Sequence, residues 1–180
     1  MSYFAKKEGR ISGANLARMV SLINRAEELE VDGILLSCTI FSPYIDLFSS
    51  FADIPVVAAD VAMFEEAASS YEHLGVVVTF GPTVKSVTAV LERCKEKNMK
   101  FEAEIRVPEG AFDACAKGQD EEHNRLVAEC ARSMAPRCDA IVLSQMSQMR
   151  AMPLLKDLSI PVLTSPPISF KHLINKINQI

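Results

Sequence analysis

Two hydrophobic periodicities alternate along this chain. Apolar residues at helical spacing predict helices over residues 14–30, 45–51, 61–70, 83–97, 120–134 and 170–180. Short apolar runs predict strands over residues 34–37, 54–58, 74–79, 101–107, 140–144 and 161–164. Strands that are apolar throughout are typical of parallel sheets covered by helices on both faces. The pattern therefore predicts an α/β fold.

The two halves of the chain resemble each other weakly. Residues 32–38, DGILLSC, are similar to residues 139–145, DAIVLSQ, and a second similarity links residues 53–57 to residues 159–163. The repetition predicts two similar parallel-sheet lobes that face one cleft. We expect the first lobe to comprise residues 1–72 and 167–180, and the second to comprise residues 73–166. Cys38 and Gln145 then occupy equivalent positions, one in each lobe.

Cys38 is the strongest candidate for chemistry because it directly follows an apolar strand. Ligands of α/β proteins bind at the carboxyl ends of the strands. A thiol near a helix N-terminus is stabilised as the thiolate, so Cys38 could act as an acid, a base or a nucleophile. The alternative is a small buried apolar residue, which is how many free cysteines behave. The neighbouring Thr39 and Ser42 suit either helix capping or carboxylate binding.

The second predicted lobe offers hydroxyl groups at its own strand ends. Thr79 and Thr83 lie in the turn TFGPT after a strand, and Thr83 is predicted to cap the following helix. Asp60 follows another strand and is predicted to be an N-cap, although a role in the site is open.

Composition narrows the classes of function. The chain has 180 residues, 49% of them hydrophobic, and a net charge of −4, so it lacks the basic character typical of nucleic-acid binding. Its apolar runs are too short to span a membrane, and the first residues show no signal-peptide pattern, so we expect a cytoplasmic protein. The five cysteines form no C-x-x-C pair and the three histidines are dispersed, so no metal site is predicted. No chemistry is assigned to Cys94, Cys115, Cys130 and Cys138.

Residues 32–43, 54–67, 74–86, 110–112, 121–131 and 138–166 together resemble the aspartate/glutamate/hydantoin racemase superfamily, in its racemase-like or arylsulfatase-regulator branch. The resemblance implies two α/β lobes around an active site that needs no cofactor. In such racemases two cysteines on opposite faces of the substrate move the α-proton. Cys38 matches the first position and Gln145 the second. The resemblance also implies that threonines at the positions of Thr79 and Thr83 bind the substrate carboxylate.

The same resemblance implies further properties. Family members often dimerise, so a homodimer is expected. They usually begin with a strand, a helix and a second strand before the segment that matches residues 2–18, so we expect a first lobe shortened at its N-terminus. An exposed sheet edge would result, and self-association could cover it.

Two functional hypotheses follow. A glutamine hydrogen-bonds a carboxylate but does not relay protons, so Gln145 is a binding residue and not an acid or base. We therefore expect isomerase-type chemistry at a carbon α to a carboxylate, with Cys38 acting on one face of a small carboxylate-bearing molecule. The alternative is a non-catalytic carboxylate-binding or regulatory protein on the racemase scaffold.

Overall fold

The computed structural model describes residues 11–98 and 100–179, which contain two parallel sheets. The smaller sheet pairs β1 (Ile34–Leu36) with β2 (Val56–Ala58). The larger sheet contains β3 (His73–Val77), β4 (Glu102–Arg106), β5 (Ala140–Leu143) and β6 (Val162–Thr164), in the order β4-β3-β5-β6. Every strand pair is parallel, which confirms the predicted α/β class.

Seven α-helices connect the strands within the described part of the chain. They are α1 (Gly13–Glu27), α2 (Ile45–Ser49), α3 (Ala59–Ser70), α4 (Val84–Lys97), α5 (Ala111–Ala116), α6 (Asp120–Met134) and α7 (Ser165–Ile177). Ser12 caps α1, since its Oγ accepts a hydrogen bond from the backbone N–H of Asn15 at 3.3 Å. The short helix α5 was not predicted, and α7 begins five residues before the predicted start.

The two central strands of the larger sheet, β3 and β5, are buried on both faces, whereas the edge strand β4 is partly exposed. Val76, Val78 and Val142 belong to one apolar cluster together with residues of α3 and α4. Val77 and Leu143, which point to the opposite face, pack in a second cluster with α6. This two-sided burial explains why the strands read as unbroken apolar runs instead of alternating patterns.

The smaller sheet has its own core, in which Ile23 of α1 packs with Phe41, Phe48 and Val56. The last helix, α7, contacts β1, β2 and α3. A Cβ atom added to Gly33 would lie 2.9 Å from a Leu173 carbon, so the absence of a side chain there permits the close approach of α7. Residues 1–10, which include the N-terminal pattern used to exclude a signal peptide, lie outside the described residues.

Two predicted helix caps are wrong. Ala58 occupies the N-cap position of α3, so Asp60 lies inside the first turn, where its carboxyl is buried. Thr83 does occupy the N-cap position of α4, but its hydroxyl donates to the carbonyl of Phe80 at 2.7 Å and does not cap the helix. The Thr83 hydroxyl is engaged within its own turn, whereas the Asp60 carboxyl accepts from Ser42, which is 18 residues away in sequence.

No helix in the described ranges is both long enough and apolar enough to cross a membrane.

Candidate functional site

Cys38, Thr79 and Gln145 each lie two residues beyond the end of a strand, after β1, β3 and β5 respectively. Cys38 and Gln145 both have extended backbone conformations and both precede a 3₁₀ helix, over Thr39–Tyr44 and Met146–Leu155. The similarity between residues 32–38 and 139–145 thus corresponds to one local structure that occurs twice. It directs the two side chains from the carboxyl ends of two parallel sheets.

A cleft of about 330 Å³ opens at these strand ends. Its walls are formed by residues 37–40 and 145–147 and by Thr79, Phe80, Thr83, Phe112 and Cys115. Five of the six predicted site residues therefore lie together: Cys38, Thr39, Thr79, Thr83 and Gln145. The thiol of Cys38 is exposed, whereas Thr39, Thr79 and Thr83 are buried.

The Gln145 side chain is positioned by hydrogen bonds that follow from the register of β3 and β5. Val77 of β3 pairs with Leu143 of β5, so Thr79 lies beside Gln145. The Gln145 Oε1 atom accepts from the backbone N–H of Thr79 at 2.7 Å, from its hydroxyl at 2.8 Å and from Nε2 of Gln148 at 3.1 Å. The Gln145 Nε2 atom donates to the hydroxyl oxygen of Thr83 at 3.5 Å. An amide nitrogen carries two hydrogens, so one remains to donate to a ligand.

Ser42, the sixth predicted site residue, does not line the cleft. It is buried behind Cys38, and its hydroxyl donates to Oδ1 of Asp60. The prediction that Ser42 contacts a substrate is not supported by this placement. Instead, Ser42 connects the 3₁₀ helix after Cys38 to the first turn of α3.

Asp60 is the most perturbed carboxyl group near the cleft. Burial raises its pKa to about 6, although hydrogen bonds from Ser42, from its own backbone N–H, from Thr39 and from the backbone N–H of Val61 lower it in part. Its Oδ2 atom has no hydrogen-bond partner among the described residues. Asp60 therefore fixes the turn that carries Cys38 and Thr39, at the energetic cost of a buried, half-satisfied carboxylate.

Several residues of the cleft wall were not among the predicted site residues. Phe80 and Phe112 stack with ring centroids 4.5 Å apart, and Cys115 lies on the same short helix as Phe112. The sequence assigns no chemistry to Cys115, but α5 brings it into the cleft wall. Its Sγ atom is 4.0 Å from Nη2 of Arg150. Met146 also lines the cleft.

No group of three or more histidine, cysteine or acidic side chains suited to a metal ion occurs in residues 11–98 and 100–179.

The family model for Asp/Glu/hydantoin racemases matches residues 5–173. The chain belongs to the Asp/Glu/hydantoin racemase family. The match confirms the resemblance predicted from the strand-end motifs. A comparison with curated protein sequences gave no match.

Solved structures of racemase-family enzymes have the same fold. Glutamate racemase from Francisella tularensis aligns with a TM-score of 0.72 and 18% identity, over 96% of this chain and 67% of that enzyme. Allantoin racemase from Klebsiella pneumoniae aligns with a TM-score of 0.69 and 18% identity, over 89% of this chain and 65% of that enzyme. A variant of arylmalonate decarboxylase aligns with a TM-score of 0.67 and 17% identity, over 91% of this chain and 74% of that enzyme. This chain therefore spans about two thirds to three quarters of the length of these relatives.

Proposed function

We propose that this protein binds a small carboxylate-bearing molecule in the cleft and that Cys38 exchanges the proton on the carbon α to the carboxylate, without a cofactor. The observation that carries the proposal is the exposed Cys38 thiol, which shares one cleft with Thr39, Thr79, Thr83 and Gln145. Family membership supports the reaction class, and the glutamate racemase relative was solved in complex with D-glutamate, a carboxylate.

The proposed step is a reversible proton transfer. The Cys38 thiolate removes the α-proton, so the C–H bond breaks, an S–H bond forms and the electron pair is delocalised toward the carboxylate. Return of a proton from Cys38 to the α-carbon restores both species, so no oxidant or second substrate is consumed. A positioned side chain of this kind typically accelerates proton transfer by about 10² to 10⁴-fold.

Gln145 is the proposed carboxylate donor. The hydroxyl of Thr79 donates to Gln145, and the hydroxyl of Thr83 donates to Phe80, so both hydroxyl protons are already engaged. These threonines therefore orient the Gln145 amide, and its remaining N–H faces the ligand. This assigns the two threonines an indirect part in carboxylate binding.

The test is α-proton exchange in D₂O, followed by proton NMR on enantiopure carboxylic acids. We expect exchange that depends on Cys38 and is abolished in Cys38→Ser. Because Gln145 offers no proton relay, the deuterium should enter with retention of configuration. Cys130→Ser is a matched control, since Cys130 lies outside the cleft lining. Equal exchange in Cys38→Ser and in the wild type would refute the assignment.

The alternative is a non-catalytic carboxylate-binding or regulatory protein. The observation that favours it is Gln145, whose carbonyl is already occupied by three donors at the position where the family's second thiol is expected. Under this alternative, a carboxylate protects Cys38 from alkylation, Cys38→Ser still binds that ligand, and no α-proton is exchanged. Protection and exchange measured on the same acid therefore separate the two functions.

We also propose a cytoplasmic homodimer. In the described residues β1 and β2 pair only with each other, so each strand of this short sheet has an outer edge that no further strand covers. Analytical ultracentrifugation tests the assembly, and a mass of one 19.8 kDa chain at micromolar concentration would exclude the dimer.

A further inference from the structure

The charge of the cleft restricts the ligands it can accept. None of the described residues that line the cleft has a carboxylate, ammonium or guanidinium group. The guanidinium of Arg150 lies 4.0 Å from the Cys115 sulfur, but it also forms an ion pair with Asp120 at 2.7 Å. A second carboxylate on the ligand would therefore lose water without gaining a counter-charge from these lining residues, which is unfavourable in a partly desolvated site.

The apolar wall of the cleft is built from both sheets. Ile40 comes from the turn after β1, whereas Phe80 and Met146 follow β3 and β5. Phe112 stacks on Phe80 with an interplanar angle of 29°. The volume of about 330 Å³ lies at the lower end of the usual range for small-molecule pockets, about 300–1,000 Å³. One ring and one carboxylate suit a site of this size.

We infer that the ligand is a monocarboxylic acid with an aromatic substituent on its α-carbon and without a second carboxylate. The inference rests on the proposed function and specifies its substrate class. The carboxylate binds the Gln145 N–H, and the ring packs against Phe80 and Phe112. An aryl group also delocalises the electron pair left on the α-carbon, which makes the α-proton accessible to a thiolate base.

The test compares two classes of acid on the full chain. Mandelate and 2-phenylpropionate represent the proposed class, and aspartate and glutamate represent the dicarboxylate class. Each is assayed for α-proton exchange in D₂O and for protection of Cys38 against iodoacetamide. We expect the aromatic acids to protect Cys38 at concentrations more than about tenfold lower than the amino acids, because each unpaired charge weakens binding by at least this factor.

A charge-insertion variant provides an independent readout. Met146→Lys places a cation in the cleft and should shift the preference toward aspartate and glutamate. Met149→Lys is the matched control, because Met149 is 44% exposed and lies outside the cleft lining, and it should keep the wild-type preference. The wild-type comparison decides the question even if Met146→Lys fails to fold.

The outcomes separate this inference from the proposed function. Stronger protection or faster exchange with aspartate or glutamate would overturn the substrate class and leave carboxylate chemistry at Cys38 intact. Protection by the aromatic acids without exchange would support the ligand class and overturn catalysis. Neither protection nor exchange with any of the four acids would overturn both.

Discussion

The buried carboxyl of Asp60 makes folding stability depend on pH in an unusual direction. Its pKa is raised from 3.8 to about 6, chiefly by burial. The folded state therefore binds this proton more tightly than the unfolded state. Its contribution to stability is fully present below the unfolded pKa and is lost as the pH rises toward and through 6. Most native carboxylates are stabilised when ionised, so they give the opposite slope.

The magnitude follows from the shift in pKa. A difference of about 2 pKa units corresponds to about 3 kcal/mol of unfolding free energy over the full titration. Between about pH 4 and about pH 7.5 the expected loss is about 2.4 kcal/mol, because the unfolded carboxyl is already partly ionised at the lower pH. Losses of this size are large compared with a typical total stability of about 5–15 kcal/mol.

Asp60→Asn isolates this contribution. The asparagine keeps an acceptor for Ser42 and Thr39 but does not titrate. It also buries an amide in place of the unpartnered Oδ2 atom, which adds a penalty of about 1–3 kcal/mol that does not vary with pH. The change of the free-energy difference with pH therefore reports the titration of the Asp60 carboxyl, whereas its constant part reports the buried amide.

The assay is urea unfolding followed by circular dichroism at a series of pH values. The quantity of interest is the unfolding free energy of the wild type minus that of Asp60→Asn, in which the other carboxylates cancel. We expect this difference to fall by about 2.4 kcal/mol from about pH 4 to about pH 7.5. A difference that is constant with pH, or that rises, would refute the assigned burial of Asp60.

A control variant gives the opposite sign. Asp157 is an exposed carboxyl whose pKa is lowered by hydrogen bonding to Arg132. Its contribution to stability is present above the unfolded pKa and is lost as the pH falls through the folded pKa. The difference between wild type and Asp157→Asn should therefore rise slightly with pH, which checks that the measurement resolves the sign.

Three further predictions concern the cleft and the larger sheet. Iodoacetamide should modify the exposed Cys38 first and the buried Cys94 last, since burial raises the pKa of the Cys94 thiol. Peptide mass spectrometry over time gives the order of labelling, and faster labelling of Cys94 than of Cys38 would contradict the structure. Gly75→Ala should lower the unfolding free energy by about 1–3 kcal/mol, because the added methyl would lie 2.7 Å from the Ile141 side chain of β5. Urea unfolding measures this loss, and an unchanged unfolding midpoint would count against this packing. Gln145→Ala should lower the unfolding free energy by about 1–3 kcal/mol, because the Thr79 N–H and hydroxyl lose their acceptor. The same variant should abolish the protection of Cys38 by a carboxylate. Full protection in this variant would exclude Gln145 as the donor.

The fold could be predicted because its signals are local. The unbroken apolar runs identify strands buried on both faces, and the helical periods between them imply parallel pairing. The weaker predictions were those that depended on which face of a helix is buried. His123 lies in α6, whose acidic and polar composition favours exposure to solvent, but it is fully buried. A polar side chain is buried when it lies on the face of the helix that packs against the protein, whatever the overall composition of that helix.

The candidate site was only partly predictable for a similar reason. Cys38, Thr79 and Gln145 follow strands directly, so their place at the sheet edge follows from sequence position. Phe112 and Cys115 reach the cleft through α5, a helix of six residues with no periodicity long enough to detect. The contact between Ser42 and Asp60 joins residues 18 positions apart, and no cap or spacing rule anticipates it. Such contacts depend on how α3 packs against the turn after β1.

The two repeated strand ends share a backbone conformation but differ in what surrounds them. Cys38 follows a strand of the two-stranded sheet, and its thiol remains exposed. Gln145 follows an interior strand of the four-stranded sheet, where the turn after β3 adds two donors that both need an acceptor. A thiol is a weak acceptor, so a cysteine at position 145 would leave those buried donors unsatisfied. Without Gln145 these two donors would be free for a substrate carboxylate, whereas here Gln145 engages both of them. The present pair of residues is consistent with a cleft that reacts on the Cys38 side and binds on the Gln145 side.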